Sequence, residues 1–286
     1  MKIYLFTVIL GLVWTASPMV IYSEQYSDSA IYNIEVYQDF IIQTEDQIIS
    51  SDSFHADSNI YLSRITDTVV YVRFELLNIT EAPNLGISGD IDKLVAKAVF
   101  SDSTSFDDYF ENFVQQYNET MEQNPEMRSQ SGWFDQRTLT VSYNANYLLS
   151  LGIHFFSFLG GAHPSHGTRY LNFNLESGDS LILQNIFNAE GFAELNELGE
   201  KKFRELHSIP PDTNINDFGF WFDQDSFYLN HNFYFDSAGM HFLYNPYEIA
   251  CYAAGYTQLD FSWEELKGLT DSGSIIYSII NKIIEP

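Results

Sequence analysis

The sequence predicts an α+β protein in which antiparallel sheets carry helices packed on one face, arranged as two small modules. Strand-like and helix-like segments come in separate groups instead of strict alternation, the pattern of antiparallel sheet with segregated helices. Aromatic residues are abundant, 24 Phe and 19 Tyr among 286 residues, and many stand in alternating runs that suit ring-rich sheet faces. Apolar residues make up 45% of the chain, enough for one large domain or two modest ones. No fixed-period repeat points to a solenoid or propeller.

In chain order, short apolar runs bounded by polar turns predict strands at residues 32–37, 60–62 and 69–77. Residues 90–100 place Ile91, Leu94, Val95 and Val99 at helical spacing. A second helix follows from Ser105-Phe106-Asp107-Asp108, which has the form of a capping box with acids in the first turn, and Phe106, Phe110, Phe113 and Tyr117 mark its buried stripe. Residues 137–143 and 147–158 read as strands joined at Asn144-Ala145-Asn146. A further strand at 169–175 is expected to pair with residues 180–183. Residues 190–207 are helical by pattern and end before Pro210 and Pro211. Three or four aromatic strands are expected within 226–261, then short helices at 263–267 and 275–284.

Residues 1–22 carry one charge, Lys2, ahead of an apolar block and read as a secretory signal peptide, an uncleaved anchor being the alternative. The expected division is a leader over 1–23, an N-terminal module over 24–159 and a C-terminal module over 160–286, with the boundary near Gly160-Gly161. The protein is therefore expected outside the cytoplasm, periplasmic, surface-bound or secreted, with no membrane contact beyond that segment. Thirteen basic against 39 acidic residues give a formal charge of −26, and loss of Lys2 with the leader makes it −27. Nucleic acid and anionic membranes are poor partners for such a field, whereas a cationic protein, peptide or divalent metal is attracted. The plainer reading of the charge is solubility. Cys251 is the only cysteine, so no intrachain disulfide forms, and it is expected to be a small buried residue.

No motif sets up catalysis, and no cofactor is expected. Gly160-Gly161-Ala162-His163-Pro164-Ser165-His166-Gly167 places two histidines in a Gly-bounded turn. No third or fourth zinc ligand is supplied by spacing, and Ser165 lacks the Gly-x-Ser-x-Gly frame of an activated serine. The alternative is a tight connection in which glycine permits positive φ and His163 hydrogen-bonds the backbone. The acidic loop from Asp212 to Asp223 resembles a calcium loop in its oxygen positions but has Asp217 where the sharp turn requires Gly. Acid pairs at Asp107-Asp108 and Glu264-Glu265 begin helices and suit the helix dipole.

Leu159-Gly160-Gly161-Ala162-His163-Pro164, the run from Tyr170 to Asp179 and Leu181-Ile182-Leu183-Gln184-Asn185-Ile186-Phe187 resemble the start of the C-terminal module of the RsiV-like extracytoplasmic family. The run from Leu243 to Ala250, Tyr252-Ala253-Ala254-Gly255 and the run from Leu259 to Leu266 resemble its end. Residues from about 30 to Gly160 are similar to the companion N-terminal module, which also accompanies a peptidoglycan deacetylase without being its catalytic part. The resemblance implies binding at the bacterial envelope, with members that include a lysozyme-sensing anti-sigma factor. Only Met1 and Lys2 precede the apolar block, so a sigma-binding segment is not expected, nor is a deacetylase domain. The expected partners are lysozyme or another cationic protein, or peptidoglycan fragments. An envelope glycan hydrolase with carboxylates the sequence does not locate, and a calcium-stabilised structural protein, are the alternatives. The candidate binding residues are Asn245, Pro246, Tyr247 and Glu248 with His163, Tyr247 serving as an aromatic anchor. The competing reading makes 245–248 a structural turn fixed by Pro246, with Tyr247 and Ile249 buried.

Overall fold

The computed structural model describes residues 19–20, 28–43, 48–50, 68–84, 86–101, 103–124 and 132–284. The strand expected at 60–62 and all of the leader except Met19, Val20 lie outside them. The main sheet has seven strands, β1 (Met19–Val20), β2 (Ile31–Gln43), β3 (Ile48–Ser50), β4 (Thr68–Glu81), β5 (Trp133–Ala145), β6 (Leu148–Phe158) and β7 (Ser165–Asn174). Their order is β1-β2-β4-β5-β6-β7, with β3 also on β2. All neighbours are antiparallel except β4 and β5, which run parallel in the register Val70↔Trp133 to Phe74↔Arg137. The cause is the connection: helices α1 (Ser88–Phe100) and α2 (Phe106–Gln123) supply the crossover that parallel neighbours require.

Alternation along β4 turns Val70, Val72 and Phe74 towards those helices, where they meet Ile91, Val95 and Val99 of α1 and Phe106 and Phe113 of α2 in one buried core. Helix α2 begins as its sequence indicates, with Ser105 Oγ accepting from the Asp108 amide at 3.1 Å and Asp108 accepting from the Thr104 amide at 2.8 Å. Beneath it Asp135 (5% exposed) accepts from Tyr109 Oη at 2.5 Å and from Arg137 Nη2 at 2.8 Å, while the guanidinium lies over the Phe74 and Tyr109 rings. Arg137 also donates to the Val99 carbonyl and to Ser101. This ionic cluster pins both helices to the sheet, and a structural role accounts for it.

The second unit contains the antiparallel sheet β10 (Thr257–Ser262), β9 (Gly239–Tyr244), β8 (Phe233–Phe235), and the helices α3 (Leu183–Ile186), α4 (Ala189–Leu206), α5 (Trp263–Leu266) and α6 (Ile275–Ile284). Phe203 of α4, Phe242 of β9, Phe261 of β10, Trp263 of α5 and Ile276 and Ile279 of α6 share its core. Glu265 closes a capping box with Ser262.

Residues 180–183 are not a strand. Only Ser180 bridges back to Phe173, and Asn185 captures the Ile182 amide at 2.9 Å and the Ser180 carbonyl at 3.2 Å, turning the chain into α3. The β5–β6 turn falls one residue later than its sequence suggests, at Asn146 (φ 52°) and Tyr147 (φ 61°). Cys251, expected to be buried, is exposed, because it precedes the short helical turn Tyr252–Ala254 at the surface. Gly160 and Gly161, at φ 86° and 102°, make the connection between β6 and β7, which pair along ten residues. The two cores divide further on, between Leu175 in the first and Leu181 in the second, and Leu148 of β6 belongs to the second.

Candidate functional site

Edge strand β7 joins the two units through asparagine side chains that stand in for a neighbouring strand. Asn245 Oδ1 accepts from the Thr168 amide at 2.7 Å and its Nδ2 donates back to the Thr168 carbonyl at 3.1 Å. One step along, Asn232 accepts from the Tyr170 amide at 2.9 Å and donates to the same Thr168 carbonyl at 2.9 Å. Gly167 permits this approach, since a Cβ there would lie 2.9 Å from Asn245 Oδ1 and 2.2 Å from the Phe155 ring. The consequence is that the turn at 245–248 sits against the histidine loop between β6 and β7.

That turn is held from below. The Glu248 amide donates to the Asn245 carbonyl at 3.0 Å. The Glu248 carboxylate accepts from the Asn245 amide at 2.8 Å and from Asn230 Nδ2 at 2.7 Å. Pro246 occupies the first central position and Tyr247 the second, with Tyr247 at φ 69°, the form of a type II turn, whose second central position ordinarily takes Gly or Asn. Ile249 is buried, as the structural reading of this turn requires, but Tyr247 is 57% exposed. The five candidate residues therefore divide by role. Asn245, Pro246 and Glu248 build the turn, while Tyr247 and His163 face outwards.

Around Tyr247 the two loops assemble a cluster of rings. His163 stacks on Tyr252 with centroids 4.1 Å apart, and Tyr247 lies 5.4 Å from Tyr252. Tyr247 Oη is 3.4 Å from His163 Nε2. His163 Nδ1 is 2.9 Å from the Pro164 carbonyl, which can only accept, so Nδ1 carries the proton there and Nε2 is the acceptor in the neutral ring. Tyr252 Oη also donates to the Pro164 carbonyl at 3.1 Å and is 2.9 Å from His166 Nδ1. His166 in turn lies 5.3 Å from Tyr256. Burial pushes the Tyr256 phenol above its ordinary range, its hydrogen bond with Thr168 opposes this, and the nearby Tyr252 adds to it. The Tyr256 phenol is thus held in its neutral form. Trp221 is tied to the residue after Tyr247, donating from Nε1 to the Glu248 carbonyl at 3.1 Å while 46% exposed.

Sequence reasoning reached Tyr247 and His163 but not Trp221, Tyr252, Tyr256 or the role of His166. The usable signal was a run of tyrosines, Tyr247, Tyr252 and Tyr256, in a segment rich in turn residues. What it lacked was the fact that residues 163 and 247 meet.

Other polar clusters have structural explanations. His241 is flanked by Asp260 at 2.6 Å from Nδ1 and Asp236 at 2.8 Å from Nε2, and it stacks on Tyr234. Burial alone would raise the Asp236 carboxyl, but hydrogen bonds from His241 and the Ala238 and Gly239 amides hold it below the usual range. The Asp212–Asp223 loop is organised by buried Ile215 and Phe222, and Asn216 contacts the Phe222 carbonyl and Asp225. Among the described residues no group of three or more His, Cys, Asp or Glu side chains is placed to hold a metal. A cavity of about 250 Å³ lies elsewhere, between the β5–β6 turn and α6, lined by Asn146, Tyr147, Asn174, Glu176, Ser274 and Lys282.

The fold and this surface define a two-core α+β protein with an exposed ring cluster where the cores meet. Residues 184–264 match the model of a family described as "Protein of unknown function (DUF3298)". Seven chains of solved structures match. A DUF3298 family member from Bacteroides fragilis superposes with a TM-score of 0.67 at 17% identity, over 91% of this chain and 100% of that one. A DUF3298 family protein from Pseudomonas aeruginosa does so with a TM-score of 0.60 at 15% identity, over 88% of this chain and 98% of that one. At these identities the likeness is one of fold. No curated protein matches the chain.

Proposed function

We propose that this protein is an exported, acidic, RsiV-like binding protein of the bacterial cell envelope that recognises a cationic protein such as lysozyme, or a cell-wall component, through the surface around Tyr247. The observation that carries the reading is Tyr247 itself, a large ring held at φ 69° and 57% exposed. A non-glycine residue in that conformation costs on the order of 1 kcal/mol or more, and leaving the ring in water forgoes its burial. Glycine would meet the same turn without either cost, whereas an exposed tyrosine on a rigid turn suits an interface anchor. The charge of −26 supports a basic partner, because such a field speeds the encounter of opposite charges. The apolar block at residues 1–22 supports export. Among the described residues no helix is long and apolar enough to cross a membrane.

The test is calorimetric titration of the purified protein with lysozyme at low and moderate salt, alongside a lysozyme activity assay and N-terminal sequencing of the exported protein. Tyr247→Gly should keep or raise the melting temperature, since glycine accepts the turn conformation without strain. The same change should weaken binding by about tenfold or more, the range of an anchor residue. Binding that is unchanged in Tyr247→Gly, or that vanishes at moderate salt in the unaltered protein, would leave only diffuse charge attraction and defeat the proposal.

A further inference from the structure

The ring cluster does not stop at the loops. His166 on β7 is the cross-strand partner of Phe156 on β6, so the two side chains stand side by side on one face of the main sheet. Phe156 lies 5.0 Å from Phe134 of β5, and Phe134 lies 6.2 Å from Phe158, its own cross-strand partner. Helices α1 and α2 cover the opposite face, where Trp133, Leu139 and Ile153 point. Phe156 is left 44% exposed, and Leu159, the residue just past the end of that strand, is 49% exposed. Exposed apolar side chains that adjoin one another mark contact surfaces more often than exposed side chains scattered singly.

We infer that the Tyr247–Tyr252–Tyr256 cluster and the Phe134–Phe156–Phe158 strip form one contact surface, continuous through His166, and that its occupant is a folded basic protein. The inference rests on the binding function proposed above and extends its surface from the loops onto the sheet. Two observations favour a protein over a glycan. The strip consists of phenylalanines, which offer no group to orient sugar hydroxyls. The field of a chain carrying 39 acidic and 13 basic residues draws in a cationic partner and gives a neutral or carboxylate-bearing cell-wall fragment no advantage. A folded partner can also span loops and sheet together and bury the rings at the centre of its contact, in the manner of interface hot spots.

The experiment uses the whole protein and three probes: hen-type lysozyme, cytochrome c as a second basic protein, and soluble peptidoglycan fragments. Phe156→Ser alters a side chain that is already half exposed, and its fold is checked by thermal melting against the unaltered protein. For a basic protein that binds the unaltered chain, Phe156→Ser should raise the dissociation constant about tenfold, as Tyr247→Gly does. Loss of binding in Tyr247→Gly with an unchanged constant in Phe156→Ser would overturn the extension onto the sheet while leaving the loop reading intact. Binding of peptidoglycan fragments with neither basic protein bound would overturn the occupant. If none of the three probes binds, both the inference and the function beneath it fail.

Discussion

Asp92 carries one of the clearest residue-level consequences of the fold. It lies on α1 against β4, and its Oδ1 accepts from the Ile79 amide at 3.1 Å. Burial pushes its carboxyl up to about 6, the Ile79 hydrogen bond opposes the shift, and the charge of Glu35 adds to it. A carboxyl whose folded pKa lies above its unfolded value contributes its full stability below the unfolded value and loses it as pH rises through the folded one. The window here runs from about pH 4 to about pH 6. A shift of two units corresponds to about 2.7 kcal/mol, and partial exposure brings the expected effect to about 1 kcal/mol. Asp92→Asn should therefore be more stable than the unaltered protein at pH 7 by about that amount and no more stable at pH 4, read from denaturant unfolding at both values. Equal stability at pH 7 would show that the site is better hydrated than its packing indicates. None of this is legible in the sequence, where Asp92 is one more acid in the first half of a helix. Tyr247 was legible as a turn aromatic, but its exposure was not, because Pro246 fixes a turn equally well whichever way the next ring points.

At the scale of elements, β7 shows how an edge strand can be closed without another strand. Asn232 and Asn245 satisfy the Thr168 and Tyr170 amides and the Thr168 carbonyl, groups that would otherwise need water at the junction between the two units. Asn232→Ala strips the Tyr170 amide of its acceptor and should cost about 1–3 kcal/mol, the usual penalty for a stranded polar group. Hydrogen exchange at the Tyr170 amide should accelerate while exchange in the α1–α2 core stays slow. Unchanged exchange at Tyr170 would mean that water replaces the asparagine without loss. Most elements themselves were readable. The helices at α1, α2, α4 and α6, and the strands β2, β4, β5, β6 and β7, follow from period and turn residues, because each buries one face against a partner close in the chain. The parallel pairing of β4 with β5 was not readable, since strand spacing does not tell direction and only the packed pair of helices between them imposes it. The misread strand at 180–183 has a similar cause: Leu181 and Leu183 alternate like a strand, but Asn185 outcompetes the sheet for the local backbone.

For the whole molecule, β6 is the shared wall. Its period of two sends Leu148 into the core of the second unit and Leu149, Leu151 and Ile153 into the core beneath α1 and α2. Ser150, fully buried, binds Asn172 at 2.6 Å and accepts from the Phe235 amide of β8 at 3.0 Å, tying the small sheet to the same strand. Neither core can lose its packing without disturbing this strand, so the two should unfold together although each has its own helices. Leu148→Ala and Leu149→Ala each empty a fully buried site and should cost about 2–4 kcal/mol. If the wall couples the cores, both variants shift one common transition by similar amounts, whether it is followed by far-ultraviolet circular dichroism or by tryptophan fluorescence, with Trp133 in the first core and Trp263 in the second. If the cores are independent, Leu148→Ala lowers only the transition sensed by Trp263 and Leu149→Ala only that sensed by Trp133. Single-tryptophan variants retaining one or the other make the distinction direct. Coupling also bears on the proposed recognition, because the proposed surface from the Tyr247 turn to the face of β6 keeps its shape only while both cores are folded.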